Sequence, residues 1–130
     1  MKQVIDMGLP PLKQPFSWAV KGSGQMVFTA HGPVRPDGSI DTGPIADQAR
    51  LTFANLQKTM AAAGGSMDDV CQVLIYMTDV ADMPAIDAVY REFFKPPYPN
   101  RSSAAVAALV VPRMKLEIVA YAMVSPGQAG

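Results

Sequence analysis

The sequence is poor in reactive and metal-binding side chains, with one cysteine and one histidine among its 130 residues. A single cysteine excludes an internal disulfide, and one cysteine with one histidine is too few for a structural zinc site. Eleven basic side chains are balanced by eleven acidic ones. The chain therefore lacks the excess of cations that contacts with nucleic acid phosphates require, and we expect no nucleic acid partner.

Long apolar segments are also missing. The longest run, residues 104–111, has eight residues, whereas a membrane-spanning helix needs about 20. The first residues reach Asp6 before an apolar segment develops, so we expect no secretory signal and a cytoplasmic location. Since 49% of the residues are hydrophobic and 17% are charged, we expect residues 1–130 to bury one core and form one domain.

Hydrophobic periodicity predicts two one-sided helices. The first covers residues 44–63, where apolar side chains recur every three or four positions and Gly64 and Gly65 follow as a stop. The second covers residues 84–94, with Asp82 as its predicted cap and two prolines after its end. Both helices should present one apolar face to a sheet.

Alternating and apolar stretches predict five strands, at residues 16–20, 25–30, 70–77, 102–106 and 115–124. The glycine-rich residues 21–24 predict a hairpin between the first two strands, and the sequence Arg-Pro-Asp-Gly at 35–38 predicts a second turn. Strands interrupted by two one-sided helices predict an α+β fold, in which both helices cover one face of a mixed sheet.

The last strand is apolar on both faces, which suggests a second cover for the sheet. One face carries Leu116, Ile118, Ala120, Ala122 and Val124, and the other carries Lys115, Glu117, Val119, Tyr121 and Met123. Two helices can cover only one face of the sheet. We therefore expect the other face to pack against another copy of the chain in a closed oligomer.

Arg101 and Glu117 are the strongest candidates for chemistry. Arg101 opens a strand of small residues, and its planar guanidinium suits a carboxylate held at two points. Glu117 interrupts an apolar strand face, where poor solvation would raise the pKa of its carboxyl group and suit it to accept a proton or orient a water. An arginine and a glutamate on neighbouring strands could equally form a structural ion pair.

His31 and Cys71 have simpler interpretations. Cys71 lies in a strand that looks buried and is interpreted as a small core residue, because nothing near it in sequence would lower the pKa of its thiol. His31 lies beside Gly32 and Pro33 at a strand end and is interpreted as a turn or rim residue. The alternative is that it lines a pocket and titrates near neutral pH.

Five segments together resemble successive motifs of the YjgF/YER057c/UK114 family, also called the Rid family. They are residues 65–70 (Gly-Ser-Met-Asp-Asp-Val), 76–79 (Tyr-Met-Thr-Asp), 89–94 (Val-Tyr-Arg-Glu-Phe-Phe), 99–103 (Pro-Asn-Arg-Ser-Ser) and 116–118 (Leu-Glu-Ile). The resemblance extends over nearly the whole chain and is most specific in its second half. It implies a chorismate-mutase-like α+β fold, with three copies packing their sheets into a barrel and binding ligands in clefts between subunits.

The resemblance also implies an activity, the hydrolysis of reactive imines and enamines to 2-oxo acids and ammonia without a metal or organic cofactor. Arg101 then corresponds to the arginine that holds the substrate carboxylate, and Glu117 to the glutamate that orients the attacking water. Ser103, two residues after the arginine, corresponds to a position that lines the cleft.

Several cleft positions depart from the family pattern. Phe16 stands where many family members have a tyrosine, and Trp18 lies two residues after it. The usual Ser-Gly-Gln is replaced by Ala30, His31 and Gly32. With Phe16, Trp18 and His31 as substrate-binding candidates, these changes favour a larger or more apolar carboxylate-bearing enamine. The alternative is a non-catalytic trimer that binds small carboxylates as a sensor. A ribonuclease is disfavoured by the neutral charge.

Overall fold

Six β-strands and two α-helices form the regular structure of residues 3–11, 15–21 and 25–125, which the computed structural model describes. The strands are β1 (Gln3–Val4), β2 (Ala19–Lys21), β3 (Met26–His31), β4 (Val70–Met77), β5 (Asn100–Ala105) and β6 (Leu116–Met123), and the helices are α1 (Ile45–Ala62) and α2 (Met83–Phe93). The strands form one sheet in the order β1-β2-β3-β6-β4-β5. Only β4 and β5 pair in parallel, so the predicted mixed α+β fold is confirmed.

Helix α1 begins and ends where the sequence predicts. Pro44 precedes the first turn, and Gly64, with a φ of +86°, follows the end of the helix in the left-handed conformation that glycine tolerates. The predicted apolar stripe is buried, with Ala49, Phe53, Leu56 and Met60 fully inaccessible to solvent. The helix therefore packs against the sheet along one continuous face.

Helix α2 also forms as predicted, but its predicted cap is wrong. Asp82 has helical backbone angles and its side chain caps nothing. A short 3₁₀ turn precedes the helix instead, and its first amides are met by Asp79, whose carboxylate accepts a hydrogen bond from the Ala81 amide at 2.9 Å. The aspartate that stabilises this helix entry thus lies three residues before the predicted one.

Strand boundaries agree with the sequence best in the centre of the sheet. β4 has the predicted bounds, whereas β2 begins three residues later than predicted and β1 was not predicted at all. The second predicted turn forms, with the Gly38 amide donating to the Arg35 carbonyl at 2.8 Å. The first connects β2 and β3, which pair antiparallel, but its residues 22–24 lie outside the described residues.

The core lies between the two helices and one face of the sheet. From β4 it receives Val73, Ile75 and Met77, which are at most 1% exposed. From β6 and the residue that follows it, the core receives the face predicted to be buried: Leu116, Ile118, Ala120, Ala122 and Val124. Alternation along the strands then directs the intervening side chains to the opposite face.

That opposite face is apolar and only partly covered in one chain. Val119 and Tyr121 on β6 are half-buried, and Phe28 on β3 and Met123 are exposed. Phe28 and Tyr121 stand opposite each other and make an edge-to-face contact with ring centroids 5.6 Å apart. The sheet therefore presents an aromatic and aliphatic surface on the side away from the helices.

Candidate functional site

Arg101 lies near the start of β5, at the outer edge of the sheet. It pairs with Val73 of β4, whose side chain faces the helices, so Arg101 lies on the helix side as well. There its Nη1 donates a 2.6 Å hydrogen bond to Oδ1 of Asp87 on α2. Its guanidinium carbon is 4.8 Å from the centroid of the Tyr90 ring, within the range of a cation–π contact.

A cavity of about 260 Å³ lies around this arginine. This volume is somewhat below the roughly 300–1,000 Å³ of cavities that hold drug-sized ligands, so it suits a small organic acid. The side chains around it combine two aromatic rings, two cations and one carboxylate: Asp87, Tyr90, Arg91, Tyr98, Pro99 and Arg101. This composition suits a ligand that is small, charged and partly planar.

Tyr90 lines this cavity with a side chain that stays neutral. Burial raises the pKa of its phenol to about 12, so the hydroxyl keeps its proton at neutral pH. The hydroxyl is buried and has no hydrogen-bond partner among the described residues. An unpaired buried hydroxyl costs stability.

Glu117 lies on the other face of the sheet. It stands opposite Tyr76 on β4, beside the half-buried Val119 and Tyr121. The structure records no hydrogen bond or ion pair for its carboxylate among residues 3–11, 15–21 and 25–125, and burial raises its pKa. The predicted electrostatic character of Glu117 is therefore confirmed: it is a carboxylate in a poorly solvated setting without a cation to stabilise its charge.

Arg101 and Glu117 do not form the ion pair that the sequence left open. They are not on neighbouring strands, because β4 lies between β5 and β6. From the strand spacing and a register offset of about three residues, their Cα atoms are about 14 Å apart, and their side chains lie on opposite faces. The partner of Arg101 is Asp87, which the sequence did not single out.

The position of Asp87 has a partial signal in the sequence. It lies three residues before Tyr90, so the two side chains share one side of α2. That spacing does not show which strand this side of the helix faces. Only the packing of α2 beside the edge strand brings Asp87 to Arg101.

The other predicted substrate-binding residues are spread over the molecule. Ser103 is exposed on β5, on the same side of the strand as Arg101. Phe16 and Trp18 precede β2, with their rings in edge-to-face contact at 5.3 Å. Since β3, β6 and β4 separate β2 from β5, neither ring reaches the Arg101 cavity of its own chain.

Both interpretations of His31 are wrong, the turn or rim residue as well as the pocket-lining group that titrates near neutral pH. His31 is 1% exposed, at the end of β3 and in contact with α1. Its Nε2 is 2.7 Å from the Thr29 hydroxyl and 3.0 Å from the Thr59 hydroxyl. Burial lowers the pKa of the imidazole to about 3, so His31 is a neutral core side chain that lines neither described cavity.

Cys71 also differs from its prediction, since it is exposed rather than buried. The register of β4 against β6 shifts between Val70 and Gln72, and this irregularity takes Cys71 out of the alternation that the sequence suggested. Its thiol contacts the Asp69 carbonyl at 3.5 Å.

A second, more open cavity of about 530 Å³ lies beside the loop between β5 and β6. Gln48 of α1 holds this loop, because its side chain donates to the Arg113 carbonyl and accepts from the Lys115 amide. None of the predicted site residues lines this cavity.

In the described ranges no helix is long and apolar enough to cross a membrane, and no three acidic, histidine or cysteine side chains are grouped to hold a metal ion.

Comparison with known proteins gives consistent matches along almost the whole chain. A family model described as Endoribonuclease L-PSP matches residues 9–124. A 2-iminobutanoate/2-iminopropanoate deaminase from Dermatophagoides farinae is 36% identical over 110 residues, covering 83% of this chain and 86% of that protein. Escherichia coli TdcF with bound serine superposes with a TM-score of 0.84 at 36% identity, covering 95% of this chain and 99% of TdcF. RidA from an Antarctic Psychrobacter superposes with a TM-score of 0.85 at 29% identity, covering 94% of this chain and 99% of that RidA.

Proposed function

The chain belongs to the endoribonuclease L-PSP family, the YjgF/RidA family, and we propose that it hydrolyses reactive imines or enamines to 2-oxo acids and ammonia. The named activity of the mite relative supports this reaction class. The observation that carries the proposal in this chain is the Arg101 cavity, in which a guanidinium with unused donors lies beside an aromatic surface.

Arg101 is proposed to bind the substrate carboxylate. Its single hydrogen bond to Asp87 uses Nη1 and leaves Nε and Nη2 to grip a carboxylate at two points. The side chain is 30% exposed, so a ligand can reach it without unfolding α2 or β5. Bound serine in the TdcF structure shows that this related protein accepts a small carboxylate.

Glu117 is proposed to orient the attacking water from a neighbouring copy of the chain. In one chain it is on the opposite sheet face from Arg101, so the two groups can act on one substrate only across a subunit interface. The apolar face around Glu117 supports such an interface, because packing against another copy would bury Phe28, Tyr121 and Met123. We infer a homotrimer with clefts between subunits.

The reaction needs no cofactor for its electrons or protons. A protonated imine R–C(=NH₂⁺)–COO⁻ and water give R–CO–COO⁻ and NH₄⁺, so water forms the new carbon–oxygen bond and the carbon–nitrogen bond breaks. The iminium carbon is already electrophilic. Holding the carboxylate and placing one water could therefore supply acceleration through orientation and electrostatics alone.

The proposal is tested with imines generated in a coupled assay, such as 2-aminoacrylate, 2-iminobutanoate or an aminomuconate. We expect the protein to accelerate release of the 2-oxo acid above the rate in buffer. Arg101→Lys should lose about 30-fold or more in kcat/KM, the equivalent of about 2 kcal/mol, because an ammonium cannot reproduce the two-point grip.

Arg50→Lys is the matched control, because Arg50 forms its ion pair with Glu92 on the surface. This substitution should leave activity unchanged. A folded Arg101→Lys protein with wild-type activity would contradict the role of Arg101. Binding of 2-oxo acids by the wild type with no acceleration of any imine would favour the alternative, a non-catalytic carboxylate-binding protein.

A further inference from the structure

The ion pair between Arg101 and Asp87 uses only part of the hydrogen-bonding capacity of the two side chains. It consists of one hydrogen bond, from Nη1 to Oδ1, and no second one links the two side chains. The pair between Arg50 of α1 and Glu92 of α2 provides a contrast, because there two hydrogen bonds of 3.1 and 2.9 Å engage both carboxylate oxygens. At the cavity, two nitrogens of Arg101 and one oxygen of Asp87 therefore remain available.

Asp87 is the only carboxylate among the side chains that line this cavity in the described structure. The other charged groups there are Arg101 and Arg91, and the aromatic faces belong to Tyr90 and Tyr98. An anionic ligand meets attraction from the arginines and repulsion from Asp87. A ligand that carries a cationic nitrogen beside its carboxylate meets attraction from both kinds of group, and the aromatic rings add a favourable surface for the cation.

We infer that Asp87 is a specificity-determining residue, which makes the Arg101 cavity bind the zwitterionic protonated imine in preference to the anionic 2-oxo acid. The inference rests on the proposed function, since it concerns how that site distinguishes substrate from product. The free oxygen of Asp87 accepts a hydrogen bond from the iminium nitrogen, while Nε and Nη2 of Arg101 hold the carboxylate. Hydrolysis replaces the cationic nitrogen by a carbonyl oxygen, which Asp87 repels, so the product leaves.

Two ligands with the same carbon skeleton but different charges test this preference. 2-Aminobutanoate is a zwitterion, and 2-oxobutanoate is an anion. In Asp87→Asn the amide oxygen can still accept the hydrogen bond from Arg101, but the negative charge is gone. Calorimetry should show weaker binding of 2-aminobutanoate and tighter binding of 2-oxobutanoate, each by about fivefold, as expected for a partly exposed charge pair.

Further variants show whether charge is the cause. Asp87→Glu should keep the wild-type preference, and Asp87→Ser, which also removes the charge, should repeat the effect of the asparagine. Glu92 is on the same helix as Asp87, and Glu92→Gln removes its surface ion pair with Arg50 of α1. This control variant should change neither affinity. In steady-state assays, Asp87→Asn should also show stronger inhibition by 2-oxobutanoate.

The possible failures are distinguishable. Equal weakening of both ligands in the asparagine and serine variants would show that Asp87 only positions Arg101, and would overturn this inference while leaving the carboxylate site in place. An unchanged ratio of affinities in a protein that hydrolyses imines would do the same. Failure of the wild type to bind either ligand would overturn the inference together with the proposed site.

Discussion

Two carboxylates near the proposed chemistry lie in different electrostatic settings. Asp87 is paired with Arg101 at 2.6 Å, which keeps its charge compensated. Glu117 has no recorded cation or donor in the described part of the chain, and burial raises its pKa. A raised pKa suits the Glu117 carboxylate to accept a proton from water, which supports the proposed water-orienting role of Glu117.

Replacement of Glu117 by glutamine tests this assignment. The amide is nearly the same size but cannot take a proton, so we expect affinity for 2-oxobutanoate to stay within about twofold and kcat to fall by about 10²- to 10⁴-fold. Calorimetry and a coupled turnover assay measure the two quantities. Wild-type turnover in the glutamine variant would exclude the catalytic role, and Glu92→Gln serves as a control on the helix surface.

At the scale of elements, polar groups as well as apolar ones dock α1 onto the sheet. Asn55 donates to the Val34 carbonyl at 2.8 Å, and Thr59 reaches His31 on β3. The Thr29 hydroxyl donates to the Trp18 carbonyl, so its oxygen accepts from Nε2–H of His31, and Nδ1 is left as an unpaired acceptor. This arrangement fits a neutral imidazole, because a second proton on Nδ1 would have no hydrogen-bond acceptor among the described residues.

His31 therefore makes stability depend on pH. Its pKa is about 3 in the folded chain and about 6.5 in an unfolded one, so between these values the unfolded state binds a proton that the folded state rejects. The free energy of unfolding should fall as pH falls from about 6.5 toward 3, by up to about 1.4 kcal/mol per pH unit. Denaturant unfolding of the wild type and of His31→Gln, which cannot titrate, measures the difference.

The burial of Glu117 makes the free energy of unfolding change with pH in the opposite direction. Its raised pKa stabilises the folded state at low pH, and that contribution is lost as pH rises through the raised value. Comparison of wild type with His31→Gln cancels the Glu117 contribution, because both proteins contain that residue. Parallel pH profiles for the two would contradict the role of His31.

At the scale of the whole molecule, the proposed assembly depends on the sheet face opposite the helices. Its centre includes Val119 and Tyr121, with Phe28 beside them on β3. Such an apolar surface is poorly suited to water, and Glu117 on the same face needs a second chain to bring it near an Arg101. Assembly and the proposed activity should therefore depend on each other.

Sedimentation at micromolar concentration should give three times the chain mass. Val119→Asp would place a charge in the middle of the apolar face and should shift the protein toward monomers with loss of turnover. Val80→Asp is the control, since Val80 is 70% exposed in the turn before α2 and should change neither property. A wild type that sediments as a monomer would contradict the proposed assembly.

The sequence by itself determined both helices, the central strands and the buried face of β6, because those features follow from local periodicity and from glycine and proline at element ends. It also indicated that Arg101 can bind a carboxylate and that Glu117 is poorly solvated, since both follow from the chemistry of a side chain and its strand neighbours.

Tertiary structure determined which residues contact each other and which are exposed. Strand order placed β4 between Arg101 and Glu117, a bulge exposed Cys71, and packing of α1 on β3 buried His31. The packing of α2 beside the edge strand supplied Asp87 as the partner of Arg101. These outcomes depend on contacts between residues distant in sequence, whose free energies no local pattern records, and they determine which charges the proposed site presents to a ligand.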